Sequence, residues 1–183
     1  MVKQSLNLES DLANFPKDML NEINLLRYNP KEYVEKIRSH MAFIKIENDK
    51  SIYNNGSAKI SLPKGIDAFN ECIEILLKTS PLGPLKLSEE IRIDVPDDTE
   101  IQTKSFNQLQ SKIKANHPEK KISCSLDVGT PNPETSLVLQ LVDDNKTKGT
   151  RRNNLLDSSF TNLGVSIKKF KSKACTIYLT FSD

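Results

Sequence analysis

Two stretches near the end of the chain constrain its fold more than any other feature. Residues 160–170 and 174–181 alternate apolar and polar side chains, and only Lys171, Ser172 and Lys173 separate them. A strand turns successive side chains to opposite faces, so Val165, Ile167, Cys175, Ile177, Leu179 and Phe181 share one face. Two such strands joined by so short a connection predict a C-terminal β-hairpin. A hairpin with one apolar face is not stable alone in water, so the remaining chain has to cover it.

That cover is predicted to be helical. Apolar residues recur at helical spacing through Phe15, Met19, Leu20, Ile23 and Leu26, and again from Pro30 through Tyr33, Val34, Ile37, Met41 and Ile44. Asn14 or Asp11 can cap the first helix, with Pro16 in its first turn, and Asn29 can cap the second. The same spacing predicts helices over 64–79, 105–115 and 134–142. Residues 45–58, ending in Asn54-Asn55-Gly56-Ser57, read as a loop. Pro81 and Pro84 force an extended connection, after which 85–91 reads as a short helix capped by Ser88. Residues 120–128 alternate as a strand, with Ile122, Cys124 and Leu126 on one face and Ser123, Ser125 and Asp127 on the other. A short helix over 151–156 follows, capped by Thr150.

Helices with strands concentrated late in the chain predict the α+β class, or a three-layer α-β-α sandwich. At 183 residues the length calls for one domain, taken as 15–183 with residues 1–14 as an N-terminal arm. A net charge of +2 gives no reason to invoke nucleic acid or a membrane. No run reaches the length of a membrane span, and the N-terminus lacks the apolar core of a secretory signal. Cys72, Cys124 and Cys175 are odd in number and far apart, which fits thiols of a reducing compartment. A cytoplasmic protein is expected.

The candidate chemistry is sparse. No phosphate-binding glycine loop, Cys-x-x-Cys pair or nucleophile elbow occurs. Cys124 is a thiol nucleophile or metal ligand only if a histidine meets it; on a strand face between Ile122 and Leu126 it reads as core. His40, near the end of the second helix, reads as structural or surface, and His117 as an exposed loop residue. Asp143 and Asp144 invite a metal. Thr150 beside Arg151 fits a cap better than a phosphate site. Arg27, one turn after Asn24, is placed to bond loop carbonyls.

Three blocks then fall into a known order. The first is Leu20-Asn-Glu-Ile-Asn-Leu-Leu-Arg27-Tyr-Asn-Pro-Lys-Glu-Tyr33 and the second Pro84-Leu-Lys-Leu-Ser88. The third runs from Leu139 through Asp143-Asp144 and Gly149-Thr-Arg151-Arg-Asn153-Asn-Leu155 to Phe160-Thr-Asn-Leu-Gly164. Together they resemble the CAP superfamily (cysteine-rich secretory, antigen 5 and pathogenesis-related proteins), across essentially the whole chain. The resemblance implies an α-β-α sandwich with a mostly antiparallel central sheet, and it makes Asp143 and Asp144 helix-end and turn-building residues.

It also implies where a site would lie. Members of that family often carry two His and two Glu around a cleft, suited to a divalent metal. Here Thr150 stands at one His position, Cys124 at one Glu position, and an acidic stretch without histidine replaces the remainder. The expectation is therefore no enzyme, no cofactor, and no catalytic or metal-binding residue. Function would lie in surfaces docking to other proteins of a larger assembly, cytoskeletal or axonemal. The surfaces are the basic hairpin tip from Lys168 to Lys173, the acidic stretch from Glu89 to Glu100, and the N-terminal arm. A metal-dependent or thiol hydrolase and a lipid- or sterol-binding module are the alternatives.

Overall fold

The alternating stretches pair as expected and lie inside a larger sheet. A computed structural model describes residues 8–94, 103–144, 149–170 and 174–183. Strands β6 (Asn162–Phe170) and β7 (Ala174–Ser182) run antiparallel, with Leu163 opposite Phe181 and Val165 opposite Leu179. On the far side of β7 lies β5 (Ile122–Gly129), also antiparallel, and beside β6 lies β4 (Lys86–Leu87), parallel to it. The order is β4-β6-β7-β5.

Both faces of this sheet are covered. Leu163, Val165, Ile177, Leu179 and Phe181 belong to the main core. The same core takes in residues of α1 (Leu8–Tyr28), α2 (Pro30–Met41), α3 (Ile66–Lys78) and α5 (Pro133–Val142). The opposite face carries Ile122, Cys124 and Tyr178, covered by Ile91, Ile93 and α4 (Thr103–Asn116) through Phe106, Leu109 and Ile113. Period-two alternation thus supplies two cores, one per face, and the fold is α+β with helices on both sides of the sheet.

Helix α5 sits deepest, and every residue from Thr135 to Val142 is buried. Leu137, Val138, Leu139, Leu141 and Val142 spread apolar surface over most of its circumference, and Ser136 and Gln140 are buried with them. Its start is set by Asn132, whose side chain accepts the Thr135 N–H at 2.8 Å, with Pro133 in the first turn.

The structure corrects four local expectations. Helix α1 begins at Leu8 and not at Phe15, so Pro16 lies inside it. The expected loop over 45–58 is instead an antiparallel meander of β1 (Ile44–Glu47), β2 (Lys50–Asn54) and β3 (Lys59–Leu62). Its first turn, Asn48-Asp49, has both residues at positive φ (49° and 60°), the geometry of a tight hairpin that Asn and Asp tolerate. Where a helix was expected over 85–91, Lys86 and Ser88 donate their amides to Thr161 O and Leu163 O, both at 2.9 Å, and form β4. Pairing with β6 outweighs the helical preference of a segment that the prolines already deliver extended. Finally, Gly149 (φ 80°) and not Thr150 occupies the cap position of α6 (Thr150–Leu156).

Helix α1 is held to the proline-rich connection and to the segment from the end of α6 to β6 by Arg27, which is wholly buried. Its guanidinium donates to Gly83 O (2.7 Å), Leu155 O (3.1 Å), Asp157 O (3.0 Å) and Phe160 O (3.1 Å). One turn earlier Asn24 exchanges bonds with both main-chain groups of Leu85, at 3.0 and 2.8 Å. The role expected of this pair is the one found.

At the rim, Lys121 Nζ lies 2.7 Å from Asp157 Oδ2, and Ser159 donates its N–H and hydroxyl to Oδ1. The Lys121 bond and then the Ser159 bonds draw the Asp157 carboxyl down to about 2. A carboxylate lowered on folding adds stability above its unfolded value, near 4, and that stability disappears as pH falls toward 2. Urea midpoints of the wild type and Asp157→Asn should therefore differ at about pH 6 and converge near pH 2. A gap that persists at acid pH contradicts this account.

Candidate functional site

The cleft to consider opens between the two sheets and has a volume of about 420 Å³. Strand β3 lines one wall and the end of β5, Asp127 to Gly129, lines another. Leu139 and Val142 of α5 add apolar surface, and Asp144 and Arg151 lie at one end.

The short helix α6 organises that end. Arg151 Nη1 donates to Asp127 Oδ1 at 3.1 Å, and its Nε lies 3.8 Å from Asp143 Oδ1. The Arg151 amide donates to Asp143 Oδ2 at 3.1 Å, so Asp143 caps α6 from outside the helix. Asp143 can turn this way because it ends α5 at φ 48°, a left-handed conformation open to Asp. Its neighbour points elsewhere: Asp144 accepts the Lys64 and Gly65 amides at 3.0 Å and fixes the entry to α3.

Both aspartates therefore build turns, as expected. Asp144→Ala removes a buried acceptor of two amides and should cost about 2 kcal/mol in urea unfolding, with Asp144→Asn recovering part of it. A loss within the error of the measurement would contradict this role.

Further along β5, Ser123 donates to Asn154 Oδ1 (2.8 Å), and Asn154 Nδ2 donates to Ser125 Oγ (3.0 Å). The polar face of β5 is thus the seat of α6. Arg152 leaves α6 on the other side, 2.5 Å from Glu71 Oε1, and donates to Leu141 O and Val142 O. Burial raises the Asp127 carboxyl above its ordinary value, while Arg151 pulls the other way. A raised carboxyl in a cleft is a group to weigh as an acid or base. Here its charge is spent on Arg151.

The other candidates lie apart. Cys124 is buried on the opposite face of β5, its Sγ 4.0 Å from Thr180 Oγ1. Burial pushes its thiol up to about 11, the behaviour of an inert core cysteine. His117 is more covered than an exposed loop residue, with a side chain 13% accessible, and it lies 3.4 Å from Glu90.

His40 is buried, with Nδ1 2.7 Å from the Tyr53 hydroxyl and Nε2 3.2 Å from Glu134 Oε1. Lys36 joins Glu134 to Glu22 at 2.8 and 2.6 Å. Burial opposes ionisation of Glu134, but its bonds to Lys36 and His40 outweigh that and lower its pKa. Burial also raises the Tyr53 hydroxyl to about 12. His40 thus meets a carboxylate, as a hydrolase would require. It does not line the cleft, and the Tyr53 it touches has no accessible surface. The arrangement clamps α2, β2 and α5 together.

This clamp and the Arg151–Asp127 pair were missed from sequence because their partners are far apart in the chain. The one local signal, the Ser123-Ser125-Asp127 face, does not reveal its partner. The Glu89–Glu100 surface is described only to Asp94, where Arg92 bonds Glu89 and Lys120 bonds Glu90. Lys168 and Lys169 lie in β6; residues 171–173 of the tip and 1–7 of the arm lie outside the described residues.

Among the described residues no group of three or more His, Cys, Asp or Glu is arranged to hold a metal, and no helix is long and apolar enough to cross a membrane. No known family, curated protein or solved structure matches the chain.

Proposed function

We propose that the chain is a non-catalytic interaction module on a CAP-like framework, working within a larger intracellular assembly. One observation carries this reading. The Gly149-Thr150-Arg151 turn, where the resembled family places a histidine, is tied down by Asp143 and Asp127. Carboxylates that would serve an acid–base reaction serve instead as caps and as the partner of a guanidinium. The docking surfaces favoured are the basic end of the hairpin and the acidic turn after β4, where opposite charges can steer separate partners.

A paired measurement tests it. The purified protein is assayed against chromogenic ester, phosphoester and peptide substrates beside Asp127→Asn. Rates equal to buffer for both are expected. In-cell cross-linking should show a defined neighbour for the wild type that is lost when Lys168 and Lys169 are changed to Glu. Saturable turnover abolished by Asp127→Asn would overturn the reading, and so would a cross-linking pattern indifferent to the charge reversal.

A further inference from the structure

Strand β3 is the outer strand of its sheet and β5 the outer strand of the other, and the 420 Å³ cleft lies between them. The ladder fixes which main-chain groups of β3 face that cleft. Asn55 donates its N–H to Ala58 O, so this is a hydrogen-bonded pair. Such pairs recur every second residue, hence Ile60 and Leu62 bond toward Tyr53 and Ser51 of β2. Lys59 and Ser61 then turn their N–H and C=O groups outward.

The same parity holds across the cleft. Cys124 O turns off the sheet to Asn154 Nδ2 at 3.4 Å, so Leu126 and Val128 also direct main-chain groups away from β7. Helix α6 reaches as far as Asp127, whereas Val128 is 47% exposed.

We propose that this cleft takes an extended peptide segment of a partner protein, added as a fourth strand to β3. The wall offers main-chain donors and acceptors at a two-residue repeat, which an extended peptide matches. Alternate side chains of the added strand fall beside Ile60 and Leu62 and share the apolar surface of Leu139 and Val142. The charged groups here are already engaged, Arg151 by Asp127 and Asp143, Asp144 by the Lys64 and Gly65 amides, and Lys59 by Glu47 at 2.9 Å, so recognition rests on the main chain and the apolar surface. The inference rests on the reading of the chain as an interaction module, but not on the hairpin tip or the acidic turn.

Panning a phage-displayed library of short random peptides on the intact protein tests it. Enriched peptides should alternate apolar and polar residues and bind saturably as synthetic peptides. Ser61→Pro removes an outward N–H and leaves the β2 ladder whole, a change an edge strand tolerates, and should weaken binding about tenfold. In the wild type, peptide should slow amide exchange at Lys59 and Ser61 and leave Ile60 and Leu62 unchanged. The proposal is overturned if no peptide binds saturably, if Ser61→Pro binds as tightly as the wild type, or if exchange at Lys59 and Ser61 is unaffected. Changing Lys168 and Lys169 to Glu should leave peptide binding intact, and detected turnover would sink the non-catalytic reading alone.

Discussion

Replacing Arg27 with Ala should lower the unfolding free energy by about 4 kcal/mol, and a chain of this size should then melt roughly 10 °C lower. The effect is large because one side chain serves four carbonyls, those of Gly83, Leu155, Asp157 and Phe160. Without the guanidinium, buried acceptors lose their donor at the seam between α1, the proline-rich connection and the end of α6. Burial disfavours the charged guanidinium and lowers its pKa, while the Asp157 carboxylate opposes that shift. The cation is therefore retained for its geometry, five donors in a fixed fork, more than for its charge. Lysine, a point donor on a flexible stem, should recover less than half of the loss in thermal melts and urea titrations. A loss below about 1 kcal/mol for Arg27→Ala, or full rescue by Arg27→Lys, would refute the account.

Gly164→Ala should be nearly as damaging, at about 3 kcal/mol. A Cβ on Gly164 would sit 2.7 Å from Ile91 O and 2.9 Å from Arg92 N and Ile91 C. These are main-chain atoms and have no rotamer in which to move aside. Either β6 or the 91–93 segment has to shift, and that segment brings Ile91 and Ile93 into the second core against Tyr178. The Ser166 hydroxyl bonds Ile93 O on the same side. The variant should therefore loosen this face first, and trypsin should cut after Arg92 faster than in the wild type. Unchanged melting and unchanged cleavage would exclude the close approach.

The two residues are unequally legible in the sequence. Arg27 sits one turn after Asn24 on an amphipathic helix, so its role toward loop carbonyls is legible, although which carbonyls is not. Gly164 appears in the Phe160-Thr-Asn-Leu-Gly block of the family resemblance, but nothing local announces a main-chain crossing behind it. The hairpin, the β5 strand and helices α2, α3, α4 and α5 are legible because each carries its own periodicity. The β1–β3 meander is not. Its strands are short, and its Asn48-Asp49 turn lacks the glycine that usually marks such a hairpin. In the candidate site, Asp143 and Asp144 are readable as turn builders. The cleft itself arises from two strand edges, β3 and β5, that meet only in the tertiary fold.

Those two aspartates also bear on how the molecule comes apart. They are adjacent in the chain, yet Asp144 holds amides 80 and 79 residues earlier and Asp143 holds one eight residues later. The end of α5 is therefore a junction at which α3, α5 and α6 depend on one another. Opening the end of α5 strips both α3 and α6 of a capped terminus, so the three should open as one cooperative unit. Native-state exchange of the Gly65 and Arg151 amides should report a single shared opening free energy, despite the distance between them in sequence.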